Sequence, residues 1–404
     1  MMAPGIHTRR YRTNEVLGPE HEFSIVDEYL HPLPVVDQLI KKLYGRIKNS
    51  VAMSGYDLGK ELQAHVAELK AVKPFVSPRI FEETMHRAVL EISEAVEGFG
   101  AILLGLGMHP TLCLNEVKVW SHRDRGIYEA FDQIFGLRQH GWLNIQSFQL
   151  NLSYLNEDEA VRLYNAVASI LPYLPAISAS SPIYESKFGE YVDNRLHFYE
   201  LNQKNIPSIT GDIKPEPIDS FEMYNDLTIR RYSKDLEAAG APDYLLNKEW
   251  INSRGAILRF DRRALEIRIM DEQECIKTDV ALSCFIRSLL RGLMLEEKKV
   301  LSHTLLVKDL QAVIRNGLNA KVNHPISSTA RGVCHQFYEV AYNNSTKEER
   351  SYLPVIKKKI EKGNLSDLIT DRVRRKAQRT DLEEAILDVY LMLAEKLRRN
   401  EVFN

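Results

Sequence analysis

Three segments of this 404-residue chain alternate polar and apolar residues with a period of two, and the residues on their polar sides narrow what the chain can fold into. In Ser147–Ser153, Phe148, Leu150 and Leu152 fall on one side and Gln149 and Asn151 on the other. Residues 263–269 put Leu265, Ile267 and Ile269 opposite Glu266 and Arg268, and residues 17–26 alternate Glu20, Glu22 and Ser24 with His21, Phe23 and Ile25. This period predicts strands buried on one side only, hence an antiparallel sheet with an apolar face covered by helices and a polar face left open.

Helical spacing marks other regions. Ser77-Pro78 supplies a cap and a first-turn proline ahead of Phe81, Met85, Ala88, Ile92 and Ala95, and Asn156 caps toward Glu159. After Lys277 the helical pattern dominates, with Val280, Ala281, Cys284, Phe285 and Leu289 on one side. Thr380 and Glu383 form a capping-box pattern before Ile386, Val389 and Leu393. The expected class is therefore α+β, divided into a mixed domain over 1–300 and a helical C-terminal region, 301–404, packed on it.

Composition excludes several alternatives. With 44% hydrophobic and 27% charged residues, and 53 Lys+Arg against 55 Asp+Glu, the chain is neither disordered nor drawn to nucleic acid by its net charge of −2. The most apolar stretch, 163–179, is broken by Pro172 and Pro175 and holds Asn165, short of the ~20 apolar residues of a membrane span. It predicts a helix running into a loop, and no membrane partner. Arg9, Arg10 and Arg12 precede no apolar run, so no secretory signal is expected. Cys113, Cys275, Cys284 and Cys334 lie too far apart for a metal-finger pair and are read as reduced thiols of a cytoplasmic protein. The basic run between Lys357 and Arg379 reads as a solvated helix face; a basic stripe can also meet an anionic partner such as RNA, but without interleaved aromatics stacking on bases has no support. Trp120, Trp142 and Trp250 are scattered and read as packing residues.

The chemistry is concentrated on the polar strand faces. Glu20 and Glu22 project side by side, and two carboxylates so placed repel each other unless a cation neutralises them. With Glu61, Glu68 and Glu266 they make a set of hard oxygen donors suited to Mg²⁺ or Mn²⁺. Glu61 and Glu68 are seven apart, so a bulge is expected to bring them to one face, while His65, three before Glu68, is taken as structural. No G-x-x-x-x-G-K-[ST] loop and no G-x-S-x-G elbow occurs, and Gly105-Leu-Gly107 lacks a third glycine.

Gly18-Pro-Glu20-His-Glu22-Phe-Ser-Ile-Val-Asp27 resembles the G-x-E-x-E-[FY]-x-[IL]-V-D opening of the type 2 glutamate-cysteine ligase-like, or carboxylate-amine ligase, family. Residues 61–74 look like that family's second acidic strand, and Gly107-Met-His109-Pro110 like its G-x-H-P turn. Residues 171–182 are similar to its LP…ALSANSP segment, and Leu265-Glu266-Ile-Arg268-Ile-Met-Asp271 to its T-x-E-x-R-x-x-D strand. The order of these blocks, from about Glu15 to Val300, is more specific than any one of them.

The resemblance implies a glutamine synthetase-type fold, a curved antiparallel funnel flanked by helices. It also implies an ATP- and Mg²⁺-dependent reaction in which a carboxylate, with glutamate heading the list, becomes an acyl phosphate and is joined to an amine. Small-molecule acid and amine are then the partners, and a homodimer is the commonest assembly for such a chain. By motif position Glu20, Glu22, Glu68 and Glu266 are implied metal ligands, and Arg268 a phosphate contact. Arg259 or Arg195 would hold a substrate carboxylate, with Gln149, Asn151 and Ser178 also at the substrate. Tyr184, Lys187, Arg195 and His197 are candidates for shaping its pocket, His109 for closing it, and Arg262 and Arg263 read as a solvated turn. One departure stands out: where the family commonly carries H-V-H-V or H-I-N-like residues, this chain has Gln149-Leu-Asn151, so an amide replaces an imidazole that titrates near neutrality. Two rival readings use the same residues: a kinase acting on a guanidino or carboxylate group, and a non-catalytic nucleotide-binding descendant.

Overall fold

The computed structural model describes residues 10–295 and 301–404. The boundary expected at residue 300, and the N-terminal reading as far as Arg9, lie outside the described residues. Strands run in chain order as β1 (Leu17–Val26), β2 (Ser50–Ala52), β3 (Tyr56–Lys60), β4 (Val66–Ala71), β5 (Ile102–Leu104), β6 (Ser147–Ser153), β7 (Ile183–Tyr184), β8 (Lys187–Phe188), β9 (Ala256–Arg259) and β10 (Ala264–Asp271). Eight of these form one antiparallel sheet in the order β2-β3-β4-β1-β6-β10-β9, with β5 pairing the far end of β1, while β7 and β8 make a separate hairpin. The α+β class expected from the alternating segments is what the chain adopts.

The register explains why these strands share a polar face. Glu22 faces Glu68 and Glu20 faces Lys70 across β1 and β4, Glu20 faces Gln149 across β1 and β6, and Glu266 faces Asn151 across β10 and β6. Opposed residues point the same way from a sheet, so four strands deliver their polar side chains to one surface. On the reverse, Phe23, Leu69, Phe148, Leu150, Leu265 and Ile267 are fully buried in one continuous core. Helices Pro78–Glu97 and Ile276–Leu293 cover that face, the first capped by Ser77 as expected, the second buried on nearly all sides because Ala330–Asn343 packs on it in turn.

Two local expectations shift. Glu61 and Glu68 are not on one bulged strand: the chain leaves β3 at Lys60, turns, and re-enters at Val66, so a tight connection between two paired strands brings the glutamates near each other. The last long helix, Leu382–Arg399, is capped by Asp381, whose carboxylate accepts from the Glu384 amide at 2.8 Å. Thr380 Oγ1 instead donates to the carbonyls of Lys376 and Asp381. Asn156 caps Glu157–Ile170 as predicted.

Candidate active site

A bulge does appear, in β10. Pairing with β6 runs Glu266–Asn151 and Ile267–Leu150, then shifts by one residue to Met270–Phe148 and Asp271–Ser147. Strict alternation would put Asp271 on the apolar side with Leu265 and Ile267; the extra residue returns it to the polar side. There it accepts from Arg195 Nε at 2.5 Å, from the Ser180 amide at 2.8 Å and from Ser181 Oγ at 2.8 Å. Gly107 lies against it so closely that a Cβ would come within 2.3 Å of the Asp271 carboxylate, which accounts for a glycine there without any dinucleotide loop.

The polar wall holds buried charge in specific pairs. Glu20 accepts from Asn151 Nδ2 at 2.9 Å and from Arg262 Nη1 at 2.5 Å, with Lys70 Nζ 3.8 Å from its other oxygen. Burial alone would raise its pKa, but Lys70 and Arg262 outweigh burial and hold it below the usual range. Glu68 pairs with Lys70. Glu266 is gripped on both oxygens, by Arg259 Nη1 at 2.6 Å and Arg268 Nε at 3.2 Å. Glu22 receives neutral donors only, the Ser147 amide at 2.7 Å and Gln149 Nε2 at 3.0 Å. Burial first, and Glu68 second, push its carboxyl up to about 7. Burial and neighbouring carboxylates likewise raise Glu61 and Glu68. The Asn151 Oδ1 atom is buried and has no partner.

Behind β1, Glu272 accepts from the Glu22 amide at 3.2 Å and lies 3.1 Å from His21 Nδ1, with Asp279 3.6 Å from the same nitrogen. Burial pushes His21 down to about 4 and raises both acids, and the cluster ties β1 to Glu272 and to the helix that carries Asp279. His21 lies between Phe23 and Phe148, with ring centroids 5.7 and 5.0 Å away.

Two cavities lie against this wall and share no lining residue. The larger, about 850 Å³, is lined by Gly18, Glu20, Lys70, Lys73, Asn151 and Arg262 among others. The smaller, about 460 Å³, is lined by Glu22, Lys60, Glu61, Ser147, Gln149, Arg195, Arg268 and a group of aromatic side chains.

Several expected site residues are placed otherwise. Ser178 is fully buried in a helical turn, its hydroxyl donating to the Leu174 carbonyl at 3.0 Å, and it lines neither cavity. Arg259 is committed to Glu266 and Glu249, so it supports the wall instead of offering a free guanidinium. Arg195 reaches the smaller cavity but spends Nε on Asp271 and Nη2 on the Ile269 carbonyl at 2.7 Å. Lys187 pairs with Glu185 and His197 stacks on Tyr191 at 3.9 Å; these two, like Tyr184, line neither cavity. His109 and His65 are buried, edge-on to each other at 6.1 Å. Arg262 does not simply solvate its turn, since it reaches Glu20. Trp142 and Trp250, expected to pack, line the smaller cavity. In the basic run, Lys359 is buried and donates to Gln273 Oε1 at 3.0 Å. Among the described residues all four cysteines are free, and no described helix is long and apolar enough to cross a membrane.

Known proteins resemble this chain in sequence and in fold. A protein of Archaeoglobus fulgidus, itself uncharacterized, is 44% identical over 388 residues, covering 96% of this chain and all of its own length. Glutamate–cysteine ligase A, chloroplastic, of Oryza sativa subsp. japonica is 24% identical over 190 residues, and there the match spans 44% of this chain and 36% of the rice protein. The crystal structure of a glutamate–cysteine ligase from Francisella tularensis in complex with AMP superposes with a TM-score of 0.68 at 14% identity, covering 96% of this chain and 90% of that one. A bifunctional glutathione synthetase from Pasteurella multocida gives 0.58 at 14% identity, covering 94% of this chain and 52% of that one. The profile of glutamate-cysteine ligase family 2 matches residues 16–388, nearly the whole strand-and-helix framework described above, and the chain belongs to that family.

Proposed function

We propose that this protein is an ATP- and Mg²⁺- or Mn²⁺-dependent carboxylate-amine ligase. The observation that carries the reading is the partition of the wall: on β1, Glu20 lines the larger cavity and Glu22, two residues on, the smaller, and on β6 Asn151 and Gln149 divide in the same way. One row of oxygen donors thus stands between two compartments, an arrangement suited to moving a phosphoryl group from a donor on one side to an acceptor on the other. Family membership and the ligase folds it resembles support the same reaction class.

The donor set is of the kind a hard divalent cation takes, because the wall offers carboxylate oxygens and the unpartnered Asn151 Oδ1, with no thiol or imidazole ligand among them; a bound cation would have to displace the lysine and arginine partners that now hold Glu20, Glu68 and Glu266. Glu20, Glu22, Glu68 and Glu266 would hold it, and when bound it would shield the phosphate oxygens of ATP as a carboxylate is activated. The chain's own groups do the rest. Lys70 and Arg262 bring positive charge to the larger cavity, where the nucleotide phosphates belong. Arg268, fixed by Glu266 and by the Asn252 carbonyl at 2.8 Å, presents its guanidinium to the smaller cavity, where it orients the acid. Arg195 sets the floor of that cavity through Asp271. Gln149 holds Glu22 by a donor that keeps its state at any physiological pH.

ADP release from ATP and Mg²⁺ with a panel of amino acids, glutamate first, with and without hydroxylamine, tests the reading. Metal-dependent ADP together with a hydroxamate of one acid is expected. ADP without hydroxamate would favour a kinase, and neither product would overturn catalysis of this kind.

A further inference from the structure

The smaller cavity has two unlike ends. One is the charged wall, with Glu22, Gln149 and Arg268. The other is built by Phe131, Trp142 and Trp250, with Tyr128 at its edge carrying Lys60 over one ring face at 4.5 Å, from the helix Arg125–Phe135, the turn His140–Leu143 and the turn Glu249–Ile251. Phe131 is the hub, its ring centroid 5.7 Å from Trp142 and 6.2 Å from Trp250. Phe131 is buried, but Trp142 and Tyr128 are half-buried and Trp250 is 37% exposed. Aromatic surface at the concave end of a polar site is apolar area not yet removed from water, and rings already braced against one another lose little freedom when something packs on them. Glutamate has no group that would use this end.

We propose that the amine acceptor of this ligase carries an aromatic-sized apolar group, which packs between Trp250, Trp142 and Tyr128 while its nitrogen faces the charged wall. The inference rests on the ligase reading. It is assigned to the amine because the acid's carboxylate is matched by Arg268 at the charged wall, and the nucleotide phosphates are proposed to lie beside Lys70 and Arg262 in the other cavity. The aromatic end is what remains for the second substrate.

The experiment separates the two claims. Hydroxamate formation first identifies the activated acid with a nucleophile too small to reach the aromatic end. With that acid, amide formation is then compared for ethylamine, isobutylamine and 2-phenylethylamine in the wild type and in Trp250→Ala. The expected result is a kcat/KM at least ~10-fold higher for 2-phenylethylamine than for ethylamine, carried mainly in KM, with the ratio falling toward one in Trp250→Ala. Equal values for the three amines, or a ratio that Trp250→Ala leaves unchanged, would overturn the inference while the ligase reading stood. If no acid yields hydroxamate the ligase reading fails, and titration calorimetry still decides the pocket: 2-phenylethylamine binding no tighter than ethylamine would overturn it as well.

Discussion

Glu22 meets only neutral donors and sits beside Glu68, so at neutral pH about half of it carries a proton that a metal ion would have to displace. Its folded pKa of about 7 lies above the ~4.3 of a free glutamate, so between these values the folded protein binds one more proton at this residue than the unfolded chain. Cation binding should therefore release a proton and tighten as pH rises from 6 to 8. Calorimetric titration of Mn²⁺ in buffers of different ionisation enthalpy should show that release, and Glu22→Gln should reduce it, leaving the part that Glu68, also raised by burial, contributes. Glu266 is different, because two arginines already hold it. Glu266→Gln keeps its shape and removes its charge, so ADP formation should fall by ~100-fold or more while circular dichroism stays native. An unchanged turnover would mean that Glu266 is only a strut. Alternation alone brings Glu20, Glu22, Gln149, Asn151, Glu266 and Arg268 to one face. Arg262 escapes that logic because it lies in a turn and meets a carboxylate 242 residues away in sequence, a closeness that only the pairing of β1, β6 and β10 creates. Ser178 fails for the converse reason: its motif is present, but a helical turn uses its hydroxyl locally.

At the scale of elements, the bulge in β10 decides which side Asp271 serves. Periodicity marks the place but not its meaning: alternation holds from Leu265 to Ile269 and inverts at Met270 and Asp271, and only the pairing with β6 shows the inversion to be a bulge. The consequence is a buried Arg195–Asp271 pair, with Asp193 and Glu22 acting on the same guanidinium from farther off. Asp271→Asn should remove its nearest counter-charge and cost ~3 kcal/mol, read as a lower urea midpoint with an unchanged slope. Helix starts were more legible. Ser77 and Asn156 cap as their sequences indicate, and Asp381 displaced Thr380 by one position because its carboxylate is the stronger acceptor for the first-turn amides. The turn between β3 and β4 was hidden because residues 61–65 hold no Gly, Pro, Asn or Asp to mark it.

At the scale of the whole molecule, Glu349 links the residues beyond 301 to the sheet's covering helix. It accepts from Arg287 Nε at 2.6 Å and from Arg291 at 3.0 and 3.1 Å. Burial would raise its pKa, but Arg291 and Arg287 prevail and hold it at about 2. Its contribution, on the order of 2 kcal/mol, is therefore fully present above the ~4.3 of the unfolded chain and is lost as pH falls from there to about 2. The stability difference between wild type and Glu349→Gln, from urea denaturation, should be constant from pH 5 to 8 and shrink between pH 4 and 2. The α+β class and the covering helices were readable from periodicity. The separation into two cavities was not, because it depends on how the sheet curves and where the loops of residues 120–145 and 240–255 settle.

That separation bears on traffic. Since the two compartments have no lining residue in common, the proposed function would let nucleotide and acid be held at the same time, one in each. Initial rates measured against ATP at several fixed acid concentrations should then give intersecting double-reciprocal lines. Parallel lines would mean that one mouth serves both.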